Sequence, residues 1–335
     1  MKLLVNRKAF LTELDYVLSA FTSREVVPGE KSRLPLELIA RPDDTLSLHT
    51  DDGKVMLSTK TSCAARAGQY NSDPIYLYGD KVAEYLHKVQ DEQVAIEVES
   101  ARTSFTHDDG MMAVPHILVR PKMRESSEQP ELTLDLPRKE IQRLLDASSF
   151  AAIKHWHQYV SGTLLETGNG SLTMVCTDGK VLAVADVELE APAKEMVVSP
   201  IAMERLKALV KDCTGDTVTL EHYKSGFVGR CGYRVFASAN AGGAFPRKYK
   251  SIIPTEGTRL DALVVDVIGA VRRNMLASTQ KDVDLSLTLS QDGLTVESDS
   301  GREVVPAFCA APSPVTVKVS GKYLIGALQA CPHER

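Results

Sequence analysis

The feature that most constrains this chain is a repeat. Three segments share one grammar: an alternating apolar strand, a small or turn-prone residue, then an amphipathic helix. They are Ile75-Tyr76-Leu77-Tyr78-Gly79 with a helix to about Gln90, Met196-Val197-Val198-Ser199-Pro200 with a helix to about Asp212, and Val317-Lys318-Val319-Ser320-Gly321 with a helix to about Cys331. Each lies 121 residues after the one before, a period that marks duplicated units rather than one continuous core. The apolar positions keep the same offset: Val82, Met203 and Leu324, then Tyr85, Leu206 and Ala327, then Val89, Val210 and Cys331. Within each helix these fall at i, i+3 and i+7, one face of a 3.6-residue helix.

A second helix opens each unit. It begins at Arg7-Lys8-Ala9-Phe10-Leu11 and runs to about Thr22 in the first, and at Pro137-Arg138-Lys139-Glu140-Ile141 in the second. In the third it is expected at Arg259-Leu260-Asp261-Ala262-Leu263, running to about Leu276. Pro137 suits a first helical turn, where its missing amide hydrogen costs no bond. Between the helices lie alternating strands with tight turns: Leu46 to Met56 around Asp52-Gly53, Thr163 to Val175 around Gly168-Asn169-Gly170, and Leu285 to Val296 around Asp292-Gly293.

The fold class that follows is α+β, with three tandem domains of two helices packed on antiparallel sheet. The boundaries fall in the polar stretch Arg124-Glu125-Ser126-Ser127-Glu128-Gln129-Pro130 and near Pro254-Thr255-Glu256-Gly257, giving domains 1–125, 126–254 and 255–335. In the third domain only Pro332-His333-Glu334-Arg335 follow Cys331, whereas the first continues from 91 to about 123. Its last strands are therefore expected to be missing, leaving exposed strand edges open to strand addition.

The helices and the remainder differ in charge. The six expected helical spans carry a net charge of +4, while the whole chain is −5, so the rest is −9. A cationic helical layer over an anionic strand layer suits a molecule that meets a polyanion on one face. It equally suits solvated helix faces with favourable charges at their ends.

Other function classes find little support. Hydrophobic residues make up 43% and charged residues 25% of the chain, as in globular proteins, and no run of eighteen apolar residues would span a membrane. The N-terminus reads as a strand entering a helix, not as an export signal. The six cysteines are scattered without a C-x-x-C pair, so free, reduced, buried thiols are expected. His155 and His157 flank Trp156, but no neighbouring cysteine or carboxylate completes a metal set. Neither a phosphate-cradling P-loop nor a nucleophile elbow is present. No catalytic residues, metal or cofactor are assigned, and the chain is expected not to be an enzyme.

Several segments resemble the bacterial DNA polymerase III β sliding clamp family. The most specific are Gly162-Thr163-Leu164-Leu165-Glu166 and Leu172-Thr173-Met174-Val175-Cys176-Thr177-Asp178-Gly179-Lys180-Val181-Leu182-Ala183. Phe245-Pro246-Arg247-Lys248-Tyr249-Lys250-Ser251-Ile252-Ile253-Pro254 is similar to the segment closing the middle domain, and Gly321-Lys322-Tyr323-Leu324 also fits. The resemblance implies a cytoplasmic, nucleoid-associated processivity factor without chemistry of its own. It would form a head-to-tail homodimer, three domains per subunit, encircling duplex DNA independently of sequence, with helices lining the hole. DNA-facing candidates are Lys8, Lys31, Arg33, Lys81, Lys88, Arg138, Lys139, Arg143, Lys207, Lys211, Arg272 and Arg273.

The resemblance also implies a pocket that receives short peptide motifs of the replicative polymerase and the clamp loader, carried onto Val160, Thr177, Gly179, Lys180, Val181, Leu182, Pro246, Ser251 and Ile252. By position, Phe105, Met275 and Leu276 match the apolar dimer interface. Lys180, Val181 and Ser251 depart from the family's usual His or Arg, and the run before Tyr249 is one residue longer. These departures, with the shortened third domain, keep a second reading open: a clamp-like paralogue or interaction module that forms no closed ring.

Overall fold

The structure is a computed structural model and describes residues 1–19, 35–65, 73–117, 128–152, 160–239, 243–278, 283–309 and 313–331. The first copy of the repeat comprises β1 (Lys2–Asn6), α1 (Arg7–Leu18), β2 (Pro35–Arg41), β3 (Thr45–Asp51), β4 (Val55–Ala65), β5 (Ile75–Tyr78), α2 (Gly79–Lys88), β6 (Gln93–Val98), β7 (Arg102–His107) and β8 (Gly110–Pro115). The second follows the same order: β9 (Leu132–Pro137), α3 (Arg138–Ser148), β10 (Thr163–Gly168), β11 (Ser171–Thr177), β12 (Leu182–Glu188), β13 (Lys194–Val198), α4 (Pro200–Asp212), β14 (Thr217–His222), β15 (Gly226–Cys231) and β16 (Arg234–Ala239). The third comprises β17 (Leu260–Ala262), α5 (Val264–Ala277), β18 (Asp284–Ser290), β19 (Gly293–Glu297), β20 (Arg302–Val305), β21 (Ala307–Cys309), β22 (Val315–Ser320) and α6 (Gly321–Ala330). Helices α2, α4 and α6 start at Gly79, Pro200 and Gly321, again 121 residues apart.

These elements pack as two compact units. One is Met1–Lys139 with Ile201–Ala241, the other Glu140–Pro200 with Gly242–Arg335, so the middle copy contributes to both. In the first unit a sheet runs in the order β8-β7-β6-β1-β4-β16-β15-β14-β9, with β2, β3 and β5 joined beside it. The joint between copies is the antiparallel pairing of β16 with β4, Phe236 opposite Leu57. Strand β1 points Leu3 and Val5 inward, and the Asn6 side chain then accepts the Ala9 amide at 3.1 Å to cap α1. Phe10, Leu14 and Val17 of α1 are fully buried, a stripe of the expected helical spacing. The β3–β4 turn is held by Asp52, whose Oδ1 accepts the amides of Lys54 and Val55.

One buried polar group ties α1 to β16. Arg234 donates to both Glu13 carboxylate oxygens at 3.0 Å and to the Asp212 carbonyl at 2.9 Å. Thr59 donates to the same Glu13 at 2.6 Å, and the guanidinium lies 4.7 Å from the centroid of the Tyr16 ring. Burial raises the Tyr16 phenol well above its usual range.

The second unit contains the four-stranded sheets β12-β11-β10-β13 and β20-β19-β18-β22, and the pair β17-β21. Val267, Ala270 and Val271 of α5 bury against Leu285, Leu287, Leu294 and Val296. On α6, Leu324 and Leu328 are only partly buried against this core and Cys331 is exposed, so the third copy covers its helical stripe less fully than the first two.

Three local expectations are corrected. Arg259 does not open a helix: Leu260, Asp261 and Ala262 pair antiparallel with Cys309, Phe308 and Ala307, and α5 starts only after the extended Leu263. The i, i+3, i+4 stripe of Val267, Ala270 and Val271 sets that helix, whereas Leu260, Asp261 and Ala262 alternate as a strand does. Helix α2 ends at Lys88, with Val89 already extended. Cys213 and Cys231 are joined as a disulfide rather than free, their Cα atoms 6.0 Å apart, because β15 returns to the end of α4. Cys63, Cys176 and Cys309 are buried free thiols. Helix α1 is described to Leu18, so its continuation to Thr22 lies outside the described residues, as do His155, Trp156, His157, Lys31 and Arg33.

Candidate partner-binding cavity and cationic helices

The turn between β11 and β12 is built by its own side chains. Thr177 Oγ1 donates to the Val181 carbonyl at 2.7 Å and accepts the Gly179 amide at 3.1 Å. Asp178 Oδ1 accepts the amides of Lys180 and Val181 at 3.0 and 3.2 Å. Gly179 takes a φ of 90°, which side-chain-bearing residues rarely adopt. This turn is fixed to the third copy by a long-range bond, since the Tyr323 hydroxyl of α6 donates to Asp178 Oδ2. Burial raises the Asp178 carboxyl, but the bonds from Tyr323 and from the Lys180 and Val181 amides outweigh it and hold the pKa below the usual 3.8.

Beside this link lies a cavity of about 530 Å³. The turn contributes Lys180 and Val181, strands β18 and β22 contribute Asp284, Lys318 and Val319, and α6 contributes Lys322, Tyr323 and Leu324. The wall thus sets three aliphatic side chains, Val181, Val319 and Leu324, among four charged ones, a more polar lining than most small-ligand pockets have.

Behind the turn, Val160, Leu164, Val175, Phe245 and Tyr249 form a buried cluster against which Leu182 and Val197 pack. Phe245 and Tyr249 meet edge to face, with ring centroids 6.3 Å apart. Tyr249 donates to Glu166, and burial, followed by that bond, pushes its phenol well above the usual range. Gly162 passes so close to the strand beyond it that a Cβ would stand 2.1 Å from the Val198 carbonyl oxygen.

The residues expected to form one pocket therefore separate. Lys180 and Val181 line the cavity, and Thr177 and Gly179 shape its turn. Val160 and Leu182 belong to the apolar cluster. Pro246, Ser251 and Ile252 sit on the surface along the 3-10 stretch Arg247–Ile252, Ile252 with 68% exposure, and none of them lines this cavity. Sequence reasoning did not place Lys318, Lys322 and Tyr323 in a site. The resemblance of Gly321-Lys322-Tyr323-Leu324 was the available signal for two of them.

The candidate interface residues also separate. Phe105 has 0% exposure and stacks on Phe10 with centroids 6.4 Å apart, so in this structure it is a core residue with no surface to offer. Alternation along β7 turns it inward. Met275 is partly buried against the α5 core, while Leu276 is 85% exposed.

The helices carry 13 Lys and Arg against 9 Asp and Glu over their observed spans, so the net +4 survives the boundary corrections. Lys8, Lys81, Lys139, Lys211 and Arg272 are exposed and make no ion pair among the described residues; Lys207 is also exposed. Three other candidates are engaged: Lys88 with Glu84, Arg143 with Glu140 and the Asp186 carbonyl, and Arg273 with Glu303. Arg138 is half-buried and donates to the Val210 carbonyl. Among the described residues no helix is long and apolar enough to cross a membrane, and no group of His, Cys, Asp and Glu is placed to hold a metal.

No protein-family model matches the chain. The β sliding clamp of Proteus mirabilis is 27% identical over 186 residues, 53% of this chain and 50% of that protein. That of Chlamydia trachomatis is 21% identical over 252 residues, 72% of this chain and 59% of that protein. The matched part thus spans about half the length of the first of these relatives and somewhat more of the second. In structure, the DNA polymerase III subunit beta from Pseudomonas aeruginosa superposes with a TM-score of 0.85 at 20% identity, covering 100% of this chain and 91% of that one. The corresponding subunit of Thermotoga maritima gives 0.82 at 14% identity, over 99% and 90%. The helix-and-antiparallel-sheet fold is that of the β clamp structures along the whole chain, and the relatives similar to it in sequence are β sliding clamps.

Proposed function

We propose that the chain acts as a DNA sliding clamp, a non-catalytic processivity factor for a replicative DNA polymerase. The whole-chain likeness in fold to the β clamp is the observation that carries this reading. The proposal has domains 1–125, 126–254 and 255–335 repeated in two subunits that meet head to tail and close around duplex DNA. A two-fold axis satisfies both junctions if one end of each subunit receives the other end of its partner. Leu276, exposed on α5, and Met275 beside it would supply the apolar contact. Phe105 would back the opposite surface from within the core.

Tethering of this kind needs no tight contact. Exposed cations such as Lys8, Lys81, Lys139, Lys211 and Arg272 would meet phosphates loosely and without reading bases, so binding is salt-sensitive and sliding costs little. The cavity beside the Thr177–Val181 turn would hold short peptides of the polymerase and the clamp loader, with Tyr323 and Asp178 fixing its rim.

Light scattering on the purified chain tests closure. A mass of two 36.6-kDa chains at micromolar concentration supports the ring. A stable monomer favours the second reading, a clamp-like interaction module, for which the unusual Lys180, Val181 and Ser251 are the supporting observation.

A further inference from the structure

The cavity beside α6 carries more positive charge than general peptide binding requires. Lys180, Lys318 and Lys322 stand on its wall against a single lining carboxylate, Asp284. None of the three makes an ion pair among the described residues, and the Lys322 ammonium lies 5.8 Å from the centroid of the Tyr323 ring. Asp178, the nearest other carboxylate on the turn, already accepts from Tyr323 and from the Lys180 and Val181 amides. Counting it as well leaves the wall with more cations than anions.

The three cations come from three different elements, the β11–β12 turn, β22 and α6. They converge on one space that also presents Val181, Val319 and Leu324. A nucleic-acid backbone would use the lysines and leave the apolar wall idle. A peptide bearing both carboxylates and apolar side chains uses both, and complementary charge fixes which partners are accepted.

We propose that this cavity selects peptide segments carrying carboxylate side chains next to apolar anchors, with Lys180, Lys318 and Lys322 as the specificity-determining cations. The inference rests on the peptide-binding reading above and adds the chemical class of the partner. Each ammonium–carboxylate contact at a partly solvated wall is modest, so the three together are expected to favour an acidic peptide by about tenfold over its neutral isostere. That preference should fall away at about 0.5 M salt, where the screening length shrinks to a few ångströms.

The test uses the full chain and two fluorescent hexapeptide pools with Leu and Phe at alternate positions, one with Asp and the other with Asn between them. Fluorescence anisotropy at low and high salt should show the Asp pool binding about tenfold more tightly at low salt only. Lys318→Gln/Lys322→Gln, both at exposed positions, should bring the Asp pool down towards the Asn pool, with thermal unfolding confirming an intact fold. Equal binding of both pools overturns the acidic preference while leaving the peptide reading in place. Binding of neither pool removes the peptide reading and this inference with it. Competition of the Asp pool by a 20-base-pair duplex as effective as by unlabelled peptide would reassign the cations to nucleic acid.

Discussion

Arg234 offers the sharpest prediction about how the first unit holds together. Its side chain is 9% exposed and that of its partner, Glu13, 20% exposed, with two contacts of 3.0 Å between them. Arg234→Met keeps much of the volume but leaves Glu13 with the Thr59 hydroxyl as its remaining partner among these contacts. It also removes the bond to the Asp212 carbonyl and the packing of the cation over Tyr16. Removing one member of a buried pair costs about 3–5 kcal/mol, because the other charge stays desolvated. The lost contact with the Tyr16 face adds about 0.5–2 kcal/mol. Set against a total stability of about 5–15 kcal/mol, this is a large loss. Urea unfolding followed by circular dichroism reads it directly. Glu13→Gln/Arg234→Met, with both charges gone, should be less destabilised than the sum of the single variants. A loss under about 1 kcal/mol for Arg234→Met, or simple additivity in the double variant, would refute the view that this pair joins α1 to β16.

Three further predictions concern the interface, the turn and the helices. Leu276→Asp, at an 85% exposed position, should leave the unfolding midpoint of the subunit unchanged while halving the mass seen by light scattering. For Asp178, the folded carboxyl titrates below its ordinary 3.8, so the unfolded chain binds more protons as pH falls. Its stabilisation is complete above that value and disappears as pH drops through the folded value; Tm against pH should converge for wild type and Asp178→Asn at the acid end and separate above about pH 4. Replacing Lys8, Lys81, Lys139 and Lys211 together by Gln should weaken linear-duplex binding and flatten its salt dependence by about 0.9 in log–log slope for each lysine that meets a phosphate. An unchanged slope would assign these lysines to solvent.

What the sequence disclosed was local or periodic. The starts of α2, α4 and α6 and the turns at Gly53, Gly168–Gly170 and Gly293 follow from apolar spacing and glycine chemistry, and the structure has them there. The start of α5 was misplaced because the strand at Leu260–Ala262 is too short for its alternation to outweigh the neighbouring helical pattern. Contacts across long stretches of chain were not legible. Tyr323 bonds Asp178 over 145 residues, and Arg234 bonds Glu13 over 221, with no local periodicity to announce either. The same limit hid the part of the cavity wall that Lys318, Lys322 and Tyr323 supply, since these meet Lys180 only once β22 and α6 fold beside the β11–β12 turn.

The most direct test of the clamp reading is topological. Labelled chain is loaded onto a nicked circular plasmid with a bacterial clamp loader, freed of unbound protein by gel filtration, and measured before and after a single restriction cut. A closed ring stays on the circle through the column at moderate salt and runs off once the DNA has ends. Equal retention on circular and linear DNA, or no retention on either, would contradict encirclement as the way this protein holds DNA.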